Sequence, residues 1–219
     1  PIGEGAQLRV TRVTERTMVE QEELPFETVW VADAALELDA RHLDDPGANG
    51  IRRRRFKVVY HDRTPVERVL EEDWLAQSPR PRRIAYGTKI VVRTLETPHG
   101  PIEYWRRIRV FLTAYSAATC GKDSDHPQYG ITRLGWPMRH GIVAIDPSVI
   151  RLRTPVYVPG YGPGIAGDTG SLVVGRHVDL GYDEKSLVWH YEWGYVYLRT
   201  PVPSASQVPY ILPDYPREK

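Results

Sequence analysis

The sequence predicts an all-β protein, and three observations carry that expectation. Short runs rich in β-branched and aromatic residues recur along the chain, among them RRFKVVYH, KIVVRTLE, RIRVFLTAY and PVYVPGYG. Side chains of that shape suit a pleated, half-buried surface. Nineteen prolines and 18 glycines interrupt these runs every few residues, which leaves little room for long helices. The one stretch with near-helical spacing, TPVERVLEEDWL at 64–75, places Val66, Val69, Leu70 and Trp74 as a helix would. A strand with a bend fits it nearly as well, and strand is the expectation.

Taken in order, residues 1–88 are charge-rich and extended. They are punctuated by DDPGANG, in which Gly47 and Gly50 can adopt positive φ and Asn49-Gly50 signals a hairpin. Residues 89–104, with Pro98, Gly100 and Pro101, read as a linker or tight turn. Residues 105–200 are richer in Gly, Tyr and apolar runs, as a compact barrel needs. In VVGRHVDLGY, alternation puts Val178, Leu180 and Tyr182 on an interior face and Gly175, His177, Asp179 and Gly181 on the other. Residues 201–219 carry frequent prolines and read as an extended tail, with Tyr210, Ile211 and Leu212 packing on the barrel.

Charge and composition exclude several classes of function. Lys plus Arg (29) nearly balance Asp plus Glu (28), so no long-range field draws the chain to nucleic acid. The basic run Arg52–Arg55 is local and reads as a solvated strand face, with Asp44, Asp45 and Asp62 as nearby acids. A single cysteine, Cys120, excludes an internal disulfide framework. No apolar segment approaches the ~18 residues of a membrane span. His126, His140, His177 and His190 lack metal-ligand spacing, no serine sits in a nucleophile elbow, and no glycine loop cradles phosphate. Neither a metal nor a cofactor is expected. The chain starts at Pro1 rather than Met, which fits a processed product exported or anchored through an earlier segment.

The acids give the sharpest signal. Asp146, Asp168 and Asp179 follow one another at intervals of 22 and 11 residues, within GIVAIDPSVI, GDTG and HVDLGYD. With TAYS at 113–116, GIT at 130–132 and VYVPGYG at 156–162, this series resembles the 3D domain, named for three aspartates. That domain is similar to the catalytic barrel of MltA-type lytic murein transglycosylases. The resemblance implies a six-stranded double-psi β-barrel, with Asp179 as catalytic acid and base and Asp168 and Asp146 as supporting acids. It also implies substrate contacts from Tyr115, Thr132, Tyr161, Thr169, Gly170 and His177. Two departures stand out: Ser171 replaces the second glycine after Asp-Thr-Gly, and Val174 stands where a lysine is common. The amino-terminal half, through PGANG, the closing YGT and glycines Gly47, Gly50 and Gly87, resembles the G-five domain, an extended β-sheet module. Such a module before a 3D domain is the order of YabE-like cell-wall proteins.

The resemblance implies a peptidoglycan lytic transglycosylase at the cell wall, cleaving the β-1,4 bond between N-acetylmuramic acid and N-acetylglucosamine. One acid suffices when the attacking group is the sugar's own C6 hydroxyl, because intramolecular attack gains from positioning. That acid must start protonated, which burial or a second carboxylate favours. A non-catalytic glycan-binding or adhesion protein is the alternative, and the changes at Ser171 and Val174 favour it.

Overall fold

The computed structural model describes Gly5, Gln7 and residues 9–217, and it is built from strands. In chain order these are β1 (Val13–Leu24), β2 (Thr28–Glu37), β3 (Arg41–Asp45), β4 (Gly50–His61), β5 (Thr64–Gln77), β6 (Arg82–Lys89) and β7 (Arg93–Leu95). There follow β8 (Ile102–Tyr115), β9 (Ile142–Ile145), β10 (Pro155–Val158), β11 (Gly162–Asp168), β12 (His177–Gly181) and β13 (Tyr191–Arg199). The stretch at 64–75 with helical spacing is therefore strand. The chain divides into two compact units: Pro1–Val31 with Arg41–Ala85, and Ala32–Ala40 with Tyr86–Lys219.

In the first unit, β4 lies between β1 and β5 in an antiparallel sheet. Both outer strands are exposed along nearly their whole length. With so little buried area, cross-strand side-chain pairs tie the strands together. On one face Met18, Phe56 and Leu70 stand abreast in register, and the Arg68 guanidinium covers the Phe56 ring at 3.6 Å. Beside them Val58 is buried to 4% exposure.

Ion pairs complete the ladder. Arg52 holds Asp73 through two hydrogen bonds of 2.8 and 2.6 Å. Arg54 pairs with Glu22 at 2.5 Å, Lys57 with Glu15 at 2.8 Å, Arg68 with Glu20 at 2.7 Å and Arg55 with Glu72 at 3.0 Å. The basic run is a solvated strand face, yet its partners lie on β1 and β5. They are not Asp44, Asp45 and Asp62, because register across strands decides which acids meet it.

The Asn49-Gly50 hairpin does not form. β3 pairs with β6 in a second three-stranded sheet, β2-β6-β3, whereas β4 pairs with β1 and β5. Gly50 serves close packing, since a Cβ there would lie 2.6 Å from the Pro79 ring. The hairpin turn comes later, at Asp62-Arg63, where Asp62 takes φ +62° and its carboxylate accepts the Arg12 amide at 2.9 Å.

The second unit is a barrel. Its sheet runs β12-β9-β11-β10-β13-β8-β7, and a further β12–β8 pairing closes six of these strands on one another. β8 with β12 and β9 with β11 are parallel, and the remaining neighbours are antiparallel. This is the six-stranded closure the three-aspartate pattern implies. Val110, Val143, Ile145, Val156, Val178, Leu180 and Val196 fill its centre. Each such side chain contributes roughly 1.5–3 kcal/mol by leaving water.

Residues expected as a linker belong to this unit. β7 pairs with the start of β8 in a hairpin, Leu95 opposite Ile102, closed by the Gly100 amide donating to the Thr97 carbonyl at 3.0 Å. At Gly87 a Cβ would sit 1.9 Å from the Glu37 carbonyl oxygen, so only glycine fits. Arg106 is buried within the unit and binds Asp39 through two side-chain bonds, while its third contact reaches the Pro209 carbonyl at 2.8 Å. That contact anchors the tail, where Val208 is buried and Tyr210 and Leu212 pack on the core. Ile211 stays 41% exposed, contrary to expectation.

Candidate functional site

Strand alternation builds the site. Along β12, Val178 and Leu180 point into the barrel and Asp179 points out, opposite Thr113 of β8 and Ala144 of β9. Thr113 and Tyr115 share the outward face of β8, because Leu112 and Ala114 fill the core. Asp179 Oδ1 accepts the Thr113 hydroxyl at 2.6 Å. The same hydroxyl oxygen lies 2.8 Å from His177 Nε2, and His177 Nδ1 lies 3.0 Å from the Leu172 carbonyl oxygen. Asp168, at the end of β11, accepts three hydrogen bonds: the Arg133 amide at 2.7 Å, the Thr169 amide at 2.9 Å and the Tyr115 hydroxyl at 2.8 Å.

Asp168 and Asp179 converge on one cavity of about 260 Å³. Tyr115, Cys120, Lys122, Met138, Thr169 and Gly170 also line it. A second cavity of about 370 Å³ adjoins it, sharing Lys122, Ile131, Asp168 and Thr169 as walls and adding Thr132, Arg133 and Gly135. Together they form a trench, with Asp168 on the wall common to both and Asp179 in the smaller one.

Burial dominates the electrostatics of the site. Burial pushes the Asp179 carboxyl above the usual carboxylate range. The Thr113 hydrogen bond and nearby His177 pull it back, and the Asp168 charge adds to the rise. Burial, then the charge and hydrogen bond of Asp168, push the Tyr115 phenol far up, so it remains a donor.

Several residues expected in the site stand elsewhere. Asp146 lines neither cavity. Its carboxylate accepts the Ser148 amide at 2.8 Å and the Gly175 amide at 2.6 Å. Burial opposes its ionisation, but these hydrogen bonds prevail and hold it below the usual range. It fixes the loop entering β12 and does not join the other acids. Tyr161 is a core residue, its hydroxyl donating to the Gly181 carbonyl and accepting the Gly141 amide, both at 2.7 Å. His177 has both ring nitrogens engaged within the protein.

The glycines flanking Asp179 do not open space for a sugar. A Cβ at Gly181 would lie 2.2 Å from the Ile142 carbonyl oxygen, and one at Gly175 2.2 Å from that of Tyr215. Both admit backbone.

Two residues of the site carried no sequence expectation. Thr113 opens the TAYS stretch two positions before Tyr115, and the period-2 rule already puts both on one face. Lys122, whose ammonium donates to the Gln128 carbonyl at 3.2 Å, supplies a cation to the trench, while Val174 does not line it. No motif marked it. Among the described residues, no three His, Cys, Asp or Glu side chains converge as metal ligands.

Comparison with known proteins places these two units. Residues 15–89 match the G5 domain and residues 141–199 match the 3D domain, in that order along the chain. YabE of Bacillus subtilis (strain 168), described as a cell wall shaping protein, is 31% identical over 200 residues, 86% of this chain and 48% of YabE. The cell wall-binding protein YocH of the same organism is 34% identical over 85 residues, 37% of this chain and 28% of YocH. The chain thus spans about half of YabE and less of YocH. Among solved structures, the IgA1 protease G5 domain is 16% identical with a TM-score of 0.33, covering 37% of this chain and 95% of its own. HP0197-G5 is 20% identical with a TM-score of 0.29, covering 34% and 96%.

Proposed function

We propose that the barrel is a peptidoglycan lytic transglycosylase, with Asp179 as its single general acid and base, working at the cell wall outside the cell. The observation that carries this reading is a partly buried carboxyl held toward its protonated form, facing an open trench beside a second carboxylate. Asp179 protonates the glycosidic oxygen between N-acetylmuramic acid and N-acetylglucosamine. It then takes the proton of the C6 hydroxyl as that oxygen closes on C1. No water enters, and a 1,6-anhydro end forms. Asp168, fixed by three donors, steadies the positive charge that develops on the sugar ring. Thr169, Gly170 and Thr132 line the trench where neighbouring sugars lie.

Digestion of intact sacculi tests the reading. Mass spectrometry separates anhydro from reducing-end products by one water, and Asp179→Asn should lower the release of both by about 10²–10⁴-fold. Reducing ends alone would make the protein a hydrolase.

The second reading is a wall-binding module without chemistry. The likeness to YocH and the presence of Val174 in place of lysine support it. Under this reading wild type and Asp179→Asn sediment equally with peptidoglycan and neither releases fragments.

A further inference from the structure

The chain Leu172 carbonyl, His177, Thr113, Asp179 has a hydrogen-bond arithmetic that fixes how protons are shared along it. A backbone carbonyl only accepts, so His177 Nδ1 carries a hydrogen toward Leu172 at 3.0 Å. Thr113 has one hydroxyl hydrogen for two neighbours, His177 Nε2 at 2.8 Å and Asp179 Oδ1 at 2.6 Å.

Two arrangements satisfy every contact. In the first, Asp179 is a neutral acid donating to the Thr113 oxygen, and the Thr113 hydrogen points at a neutral His177. In the second, an imidazolium donates from Nε2 to the Thr113 oxygen, and the Thr113 hydrogen points at an Asp179 carboxylate. Each holds one dissociable proton. Removing that proton leaves one short contact without a hydrogen, and adding a second crowds three hydrogens into two contacts.

We propose that Thr113 and His177 are a proton relay that loads Asp179, the imidazole and the carboxyl exchanging one proton through the Thr113 hydroxyl as the trench fills. The transfer balances: Nε2 releases its hydrogen to the Thr113 oxygen as the Thr113 hydrogen passes to the carboxylate. The driving force is desolvation. A sugar chain that expels water disfavours the imidazolium–carboxylate form relative to the neutral one. This rests on the reading of Asp179 as the acid.

The groups around the pair are few. Asp179 faces Thr113 from β8 and apolar Ala144 from β9, and shares its cavity with Tyr115, Cys120, Lys122 and Asp168. His177 packs near Phe111, with ring centroids 5.7 Å apart. Its neighbour Arg176 contacts Asp214 and the Pro216 carbonyl. Among the described residues the imidazole bonds to Thr113 and to the Leu172 carbonyl, so its coupling runs to Asp179 through Thr113.

Nitrogen-detected NMR of the histidine rings in the whole chain, across pH, tests the relay without needing turnover. Neutral His177 should carry its hydrogen on Nδ1. Its titration midpoint should fall by about one pH unit in Thr113→Val and in Asp179→Asn, since each removes the stabilisation of the imidazolium by the carboxylate. Thr113→Ser should keep the wild-type midpoint, and it serves with Asp179→Asn if the valine variant misfolds. On sacculi the alkaline limb of the rate profile should move with that midpoint.

An unchanged midpoint in Asp179→Asn, or a neutral ring protonated on Nε2, overturns the relay. Coupled midpoints in a protein that releases no muropeptides would leave the relay standing and remove the transglycosylase reading. Release of anhydro products with uncoupled midpoints would do the reverse.

Discussion

The sheet of β1, β4 and β5 and the barrel of β8–β13 are both antiparallel-rich β structure, but they are stabilised differently. The sheet shows water to both faces and holds its register by paired side chains, Met18-Phe56-Leu70 and the Arg and Lys ladder to Glu15, Glu20, Glu22 and Asp73. The barrel hides an apolar interior of valine, isoleucine and leucine and spends its outward face on polar chemistry. A surface held by exposed pairs tolerates change at any one of those pairs, because each is worth little. A closed core tolerates almost none, and that rigidity lets it hold a carboxyl out of water.

The sharpest way to break the contrast is at Asp179. Asp179→Asn should lower sacculus digestion by about 10²–10⁴-fold, the usual worth of a general acid, leaving the sheet untouched. The same change should raise the melting temperature at neutral pH. Burial raises the folded-state pKa of Asp179, so its penalty is absent at low pH and develops as pH climbs past the unfolded pKa toward the folded one. A melting temperature lowered by the substitution at pH 7 would contradict this.

Next in size are core truncations. Leu180→Ala, in the barrel centre, should cost about 2–5 kcal/mol, whereas Leu70→Ala, 49% exposed on the sheet, should cost about 0.5 kcal/mol or less. Hydrogen exchange resolved by residue measures each unit separately. Asp146 predicts a third, smaller difference. Its depressed pKa gives stability present above the unfolded pKa and lost as pH falls through the folded one, so acid should loosen the loop before β12 first. Asp146→Ala should remove that dependence.

The smallest effect belongs to the ladder. Arg68→Ala should cost at most about 1 kcal/mol, and 1 M salt should weaken protection in β1, β4 and β5 while leaving the barrel unaffected.

Much of the barrel was legible because motif and alternation agree there: Val178 and Leu180 inward, Asp179 outward, Asp168 close by. What escaped depended on contacts far apart in the chain. Asp146-Pro147 is a turn signature, and Asp146 does hold the Ser148 amide two residues on, but its tie to the loop before β12 comes from an amide 29 residues away. Tyr161 sits in a motif rich in glycine and still lies in the core, because its hydroxyl bridges two backbones. Asn49-Gly50 has hairpin chemistry, but pairing of β4 with β1 outweighs a local turn preference. Thr113 was readable by the period-2 rule alone, once β8 and β12 are known to run side by side.

The buried guanidinium of Arg106 sets a limit on trimming at the carboxyl end. Cleavage before Pro209 would take away one of its acceptors, leaving the Asp39 carboxylate as its partner, and would strip Tyr210 and Leu212 from the core they pack on. The final segment is therefore part of the barrel's packing, and a protease that clipped it should leave a barrel that melts at a lower temperature.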